Sequence, residues 1–433
     1  MNETHRDPRV RRTTRSLQDC GHTARVFEMR LGGKSKSEIV DGIEIERVEV
    51  AHNYDLERVQ QISKVSPDTA RIIGRCDPRV MELDVRRINA LDNIIWQIDR
   101  RVEYICNNRQ WDLHLGLIQS INRIRSILLV NLDLFRAAQS FKPDVVYAND
   151  LDTLVAAHML HRVNGAKIVY DAHEVYPEQL PTHMRGHIWH RFYTALEKEL
   201  IPFSQCRFTV CGAIADYFRT EYHADGFVTI HNVPSIRHLP NVATLERRNH
   251  VPRVLYHGAY FAYRGLDEMV EAARYVPNAL FVLRGIGEYE SVLRAHVERV
   301  GLADKVHFEQ PVKVTELVET AAFCDIGLNP FVNVCKNTEF ALPNKFFEYM
   351  MAGLAVMSSD LVEMRALTEK LKVGRLFPKL DPHEIAHALN VLIAEPDKLA
   401  EYRVNAYEAA RRTYHWEMEE RKFVEAFDRA MQA

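Results

Sequence analysis

From about Lys142 onward, short runs rich in Val and Ile alternate with amphipathic stretches, and the alternation runs through two cycles. That pattern is the signature of βαβ units on a parallel sheet. In the first cycle it predicts strands at Asp144–Ala148, Lys167–Asp171, Arg207–Val210 and Phe227–Ile230. Helices such as Thr153–Arg162 and Ile188–Leu200 fall between them, and two earlier strands, Ala24–Met29 and Ile43–Val50, are expected to complete the sheet. The stretch Val233–Pro252 is irregular and carries Pro234, Pro240 and Pro252. The alternation then restarts, with strands expected at Arg253–Tyr256, Leu280–Leu283, Lys305–Glu309, Asp325–Leu328, Leu354–Ser358 and Gly374–Phe377. Two cycles joined by a proline-bearing connector predict an α/β protein of two doubly wound domains, residues 1–235 and 250–410. A C-terminal helix, 411–433, is expected to pack back on the first domain. Doubly wound sheets bind ligands at the carboxyl ends of their strands, so the expected site is a cleft between the two domains.

Composition narrows the function classes. The chain has 433 residues, 47% hydrophobic and 27% charged, which fits an ordinary globular protein and excludes a disordered one. A net charge of −3 lacks the basic excess of a nucleic-acid binder. The seven cysteines form no C-x-x-C pair, so a reducing cytoplasm is expected rather than a disulfide framework or a zinc site. The first twenty residues carry five arginines and no apolar core, unlike a secretory signal, and no apolar run is long enough to span a bilayer. The segment 54–140 breaks the alternation and predicts long helices, Val85–Cys106 and Leu115–Ala138, bearing Arg86, Arg87, Arg100, Arg101, Arg123 and Arg125. Two readings stand: peripheral contact with anionic lipid on the inner face of a membrane, or an insertion packed on the first domain with a solvated basic face.

Three segments carry chemistry. In Leu342–Val356, Pro343 suits the first position of a helix that Gly353 closes before the next buried strand. The helix then starts at the carboxyl edge of the sheet, where its amides and dipole attract an anion and Lys345 adds a full charge. Asn344 and Glu348 share a face, and a carboxylate there can accept from vicinal hydroxyls such as those of a ribose. A capped core helix with solvated Lys and Glu is the plain alternative. In Tyr256–Leu266 a buried strand runs into a loop where Gly258 permits close approach of a ligand and Arg264 can grip a diphosphate. Gly285-Ile286-Gly287 reads as a further turn of this kind, without a dinucleotide fingerprint. In the first domain, Asn149-Asp150 and His173-Glu174 place polar groups at neighbouring strand ends, where hydroxyls or protons can be handled. Asp152 reads as a helix N-cap. Asp150-Leu151-Asp152 imitates a metal-binding pair, but no metal is expected there because the phosphate loops lie in the other domain.

In this order the segments resemble family 4 of the retaining glycosyltransferases, over nearly the whole chain. The likeness rests on Asp7-Pro8-Arg9-Val10 with Gly21-His22, on Asp144–Leu154, on Val169–Glu178, on His231-Asn232-Val233-Pro234, and on the Arg264-Gly265 turn and the Leu342–Val356 helix. The resemblance implies the GT-B fold, with a nucleotide-sugar donor held between two Rossmann-like domains, and transfer with retention, without a metal or other cofactor. It implies that Arg264 and Lys345, with Arg284, contact the donor diphosphate beside Gly258, and that Glu348 holds the ribose. Asn149, Asp150, His173 and Glu174 would lie near the transferred sugar. The implied reaction moves a hexose-type sugar from a UDP- or GDP-donor to a glycan or lipid-linked acceptor, as in polysaccharide biosynthesis. A scaffold that has lost catalysis and a nucleotide-sugar epimerase are the alternatives. Three departures stand out. The family's first paired glutamate aligns with Phe340, leaving Glu339 or Asn344 to meet the sugar; a usual basic residue is Ala259; and the first strand before Asp7 is absent or reduced to Met1–Arg6.

Overall fold

The computed structural model describes residues 7–30, 36–49, 56–76, 112–179, 188–241, 251–262 and 264–432; the expected Val85–Cys106 helix lies outside them. The chain divides into two α/β units. One comprises Met1–Thr209, Tyr217–Val228 and Val424–Ala433, the other Val210–Asp216 and Thr229–Phe423.

The N-terminal unit opens with the Pro8–Asp19 helix, capped by the Asp7 carboxylate, which accepts from the Arg9 amide at 2.8 Å. Two sheets follow. β1 (Arg25–Arg30) and β3 (Ile43–Glu49) run parallel, and β2 (Lys36–Val40) lies antiparallel on β3. β4 (Val145–Asn149), β5 (Lys167–Ala172), β6 (Ser204–Thr209) and β7 (Phe227–Thr229) form a separate sheet in sequence order. The expectation that β1 and β3 complete that second sheet is therefore corrected, and β2 was not foreseen. β2 is a charged edge strand, so it lacks the apolar run that announces a buried one. Ion pairs of Arg47 with Glu28 on β1 and Glu38 on β2 tie the small sheet together.

The insertion contributes the helices Leu56–Val65, Pro67–Cys76 and Asp112–Gln139. The last is bonded to the Leu151–Asn164 helix through Asn131, which donates to the Asp152 carbonyl at 2.7 Å and accepts from the Ala156 amide at 2.8 Å. Arg125 is fully buried, so it belongs to no solvated or lipid-facing flank. Among the described residues no helix is long and apolar enough to cross a membrane.

The C-terminal unit is a six-stranded sheet of β8 (Arg253–His257), β9 (Leu280–Arg284), β10 (Val306–Glu309), β11 (Ile326–Asn329), β12 (Ala355–Ser359) and β13 (Gly374–Phe377). Its order is β10-β9-β8-β11-β12-β13 and every pairing is parallel. Both faces are covered, so strand residues are apolar in succession rather than alternately. Val254, Tyr256, Phe281 and Leu283 enter one core; Leu255, Val282 and Val356 enter the core on the opposite face. Strand order reverses between β8 and β11, the place where such sheets open a crevice for ligands.

Candidate active site

At that reversal β8 ends in His257 and leads into Gly258, whose φ of +131° a side chain would strain. A Cβ at Gly258 would also come within 3.2 Å of the Lys345 Nζ. Gly285 and Gly287 do not form another phosphate turn. They pack against the backbone of Gly258 and Tyr260, where an added Cβ would lie 1.9 and 2.1 Å from carbonyl oxygens, and so buttress the Gly258 loop. Lys345 stands on the Asn344–Met351 helix with its ammonium 3.8 Å from the centre of the Tyr256 ring, a cation–π contact. Burial, and then the neighbouring Arg264 guanidinium, push its pKa down to about 7 against the pull of Glu348. Arg264 lies over the Phe331 ring at 5.2 Å. A partly buried pair of cations beside a glycine loop has the charge to attract an anion.

The helix starts one residue later than expected: Pro343 is its cap and Asn344, exposed, its first residue. No side chain hydrogen-bonds the first-turn amides from the cap. Its far end closes as foreseen at Gly353, with the Leu354 amide bonded to the Tyr349 carbonyl and the Gly353 amide to the Met350 carbonyl. Tyr349 sets the helix on the sheet. Its ring covers Gly327, where a Cβ would meet it at 2.2 Å, and its hydroxyl accepts from the His257 amide at 3.1 Å. Glu348, 17% exposed, lies 2.8 Å from the Nε2 of His257, a nearly buried ring. The sequence pattern pointed to Lys345, Arg264, Gly258 and Glu348, and the fold brings all four together. It missed His257, Tyr256 and Tyr349, whose roles depend on a strand and a helix about ninety residues apart in sequence.

Two expected donor residues are engaged elsewhere. Arg284 faces Glu309 across the β9–β10 register and donates to its carboxylate from Nε and Nη2, at 2.9 and 2.6 Å, and to Thr320. Glu339 pairs with Lys336 at 3.0 Å on the short helix Lys336–Glu339. Phe340 beside it is buried, and its carbonyl accepts from the Cys211 thiol.

In the N-terminal unit Asn149, Asp150, His173 and Glu174 line one cavity of about 1260 Å³. Two of its lining residues, Tyr147 and His173, belong to an ionic hub. Arg9 and Asp171, both with no exposed surface, pair through two hydrogen bonds of 2.7 Å, and Tyr147 donates to the same carboxylate at 2.6 Å. Burial alone would raise the Asp171 pKa, but Arg9 and His173 hold it well below the usual carboxylate range. His173 sits 3.3 Å from Asp171 and 3.7 Å from Asp150. Burial lowers its pKa, yet the two carboxylates prevail and lift it to about 9. Asp150 is lifted to about 7, chiefly by burial. It holds φ +59°, accepts from the His173 amide at 2.8 Å, and precedes the Leu151–Asn164 helix. Asp150 rather than Asp152 thus occupies the cap position, and Asp152 falls in the first turn. Asn149 Oδ1 is buried with no partner among the described residues, while exposed Glu174 pairs with Gln179. No cluster of three metal-ligating side chains occurs among the described residues.

Residues 251–395 match the family described as glycosyl transferases group 1, and residues 99–233 match glycosyltransferase family 4. A glycosyltransferase family model thus matches part of each half of the chain, and the two Rossmann-like α/β units are consistent with the GT-B fold. A sucrose-phosphate synthase from Thermosynechococcus elongatus superposes with a TM-score of 0.70 at 13% identity, covering 98% of this chain and 93% of its own. The Anabaena protein HepE, solved with UDP-glucose, gives 0.56 at 18% identity over 69% of this chain and 82% of its own. A glycosyltransferase from Rickettsia africae gives 0.53 at 12% over 75% and 84%. No curated protein sequence matches the chain.

Proposed function

We propose that the protein transfers a hexose-type sugar, with retention and without a metal, from a UDP- or GDP-sugar to a hydroxyl of a glycan or lipid-linked acceptor. The observation that carries this reading is the convergence of Lys345, Arg264 and the open Gly258 loop beside Glu348. Lys345 and Arg264 bind the diphosphate and stabilise the charge it gains as the anomeric C–O bond breaks, which is electrostatic catalysis of a leaving group. Glu348, oriented by His257, accepts from the ribose hydroxyls. Asn344 contributes its side-chain amide to the donor. In the other unit, His173 held between Asp150 and Asp171 positions hydroxyls, and the unpartnered Asn149 oxygen accepts from one of them. The structural relative bound to UDP-glucose supports a uridine donor among the candidates.

Binding of UDP, GDP and ADP and of their sugars, followed by thermal shift, tests the reading, because a ligand of the native state raises the melting temperature. Lys345→Ala and Glu348→Ala should each weaken the bound nucleotide by roughly 10- to 100-fold with the fold intact, the loss typical of a hydrogen bond to a charged group. Unchanged affinity in both variants overturns the proposal. Donor binding without turnover on any acceptor leaves a binding subunit in its place.

A further inference from the structure

Asp150 holds a backbone conformation that side chains avoid. Its φ of +59° comes with a ψ of 170°, a region essentially confined to glycine. Lys372 makes the contrast. It too has positive φ, but at φ 52° and ψ 52° it ends the Val362–Leu371 helix in the ordinary left-handed way. An aspartate in the cap position of a helix normally turns its carboxylate onto the first-turn amides. That of Asp150 makes no such bond with the Leu151–Asn164 helix. It reaches across to the chain leaving β5 instead, where Oδ1 accepts from the His173 amide at 2.8 Å and Oδ2 lies 3.7 Å from the ring Nδ1. The turn is itself held at both ends: the Asp150 amide donates to the Asp171 carbonyl at 2.9 Å, and the Thr153 hydroxyl donates to the Asn149 carbonyl at 2.8 Å. Glycine would make this turn without strain but has no carboxylate, so the strain and the His173 contact come together.

We propose that Asp150 is a positioning residue, strained so that its carboxylate anchors both the main chain and the ring of His173 against the cavity that the two residues line. The ring is then fixed from two sides, by Asp150 after β4 and by Asp171 on β5, whose Oδ2 lies 3.3 Å from Nε2. Charge follows from the same arrangement. Two carboxylates face the ring against one cation, Arg9, while Asp152 and Glu174 add negative charge around Asp150. A fixed imidazolium donates from its ring nitrogens and cannot accept, so it selects oxygen lone pairs such as those of a hydroxyl. Its use on an acceptor hydroxyl rests on the sugar-transfer reading; the anchoring does not.

The experiment compares the protein with Asp150→Ala, Asp150→Gly and Asp150→Asn. Alanine and glycine both remove the carboxylate, but only alanine keeps a Cβ that the backbone conformation excludes. Asp150→Gly should therefore melt several degrees above Asp150→Ala, the reverse of the order at an ordinary position. An equal or lower melting temperature removes the strain and overturns the proposal. Asparagine tolerates positive φ and keeps an oxygen for the His173 amide, so Asp150→Asn should retain the anchor to the main chain. Amide exchange at His173 should be slow in the unaltered protein and in Asp150→Asn, and roughly tenfold faster or more in Asp150→Gly. Equal protection in all three overturns the proposal. The His173 ring, followed by NMR in Asp150→Asn, should titrate about one pH unit lower or more, because one facing charge is gone while the ring stays in place. An unmoved titration overturns the contact with the ring. None of these readouts needs a donor or an acceptor. Under the sugar-transfer reading, Asp150→Gly should also lose roughly tenfold or more in kcat, from misplacement of His173, with UDP affinity unchanged. Full kcat with the His173 amide released overturns the part given to His173 in transfer and leaves the anchor standing.

Discussion

A lysine with a pKa near 7 makes nucleotide binding a proton-linked event. The folded value lies below the ordinary one because burial and Arg264 disfavour the charged form. A diphosphate adds negative charge and draws the proton back, so above pH 7 binding must take one up, and affinity should fall as pH rises past that point. Calorimetry at pH 8 in buffers of different ionisation enthalpy should register uptake of up to one proton, abolished in Lys345→Ala; zero uptake in the unaltered protein contradicts the placement of Lys345 at the phosphates. His257 meets Glu348 at 2.8 Å, so under the proposed function it would act by orienting that carboxylate. His257→Val should weaken UDP binding by about tenfold, the worth of one lost hydrogen bond. His257→Gln, whose terminal amide nitrogen can replace Nε2, should bind nearly as the unaltered protein does. Equal losses in both variants reduce His257 to a packing role. Arg264, Lys345 and Glu348 were legible in the sequence because a proline and a glycine bracket their helix and turn. His257 was not, since only the tertiary fold brings β8 against that helix.

Elements are positioned by a few buried contacts. The Arg9–Asp171 pair joins the first helix to β5 and carries Tyr147 and His173 with it. Arg9→Met should destabilise the N-terminal unit by about 3–5 kcal/mol, since it strands a buried carboxylate. Denaturant titration at pH 7 measures that loss. Arg9→Met with Asp171→Asn should recover much of it, and a fully additive double variant would falsify the coupling. The strands from Asp144 to Phe377 were read to within one to three residues, because β-branched runs bounded by turns leave little latitude. The separate three-stranded sheet was not, because edge-strand pairing is decided by neighbours distant in sequence.

At the scale of the molecule, the last residues of the chain belong to the N-terminal unit. Phe427 packs edge-on to His22 at 5.4 Å, the Met431 carbonyl accepts from Lys167 at 2.8 Å, and the Ala426 carbonyl accepts from the Cys206 thiol. Deletion of residues 424–433 should therefore lower the stability of the N-terminal unit while the C-terminal unit keeps its affinity for UDP. Scanning calorimetry with and without UDP tests this. A nucleotide-dependent transition lost along with the tail would contradict it.

Local pattern alone determined two α/β units, their described strands other than β2, and the helix that begins at a glycine-rich crevice, because alternation, capping and chain-breaking residues act over a few positions. Which charges are free was decided only by the tertiary structure. Arg284 and Glu339 carry the right chemistry but meet Glu309 and Lys336 first, whereas Lys345 finds an aromatic face and a second cation. A side chain's partners depend on which distant strands and helices pack against it, and no spacing along the chain encodes that.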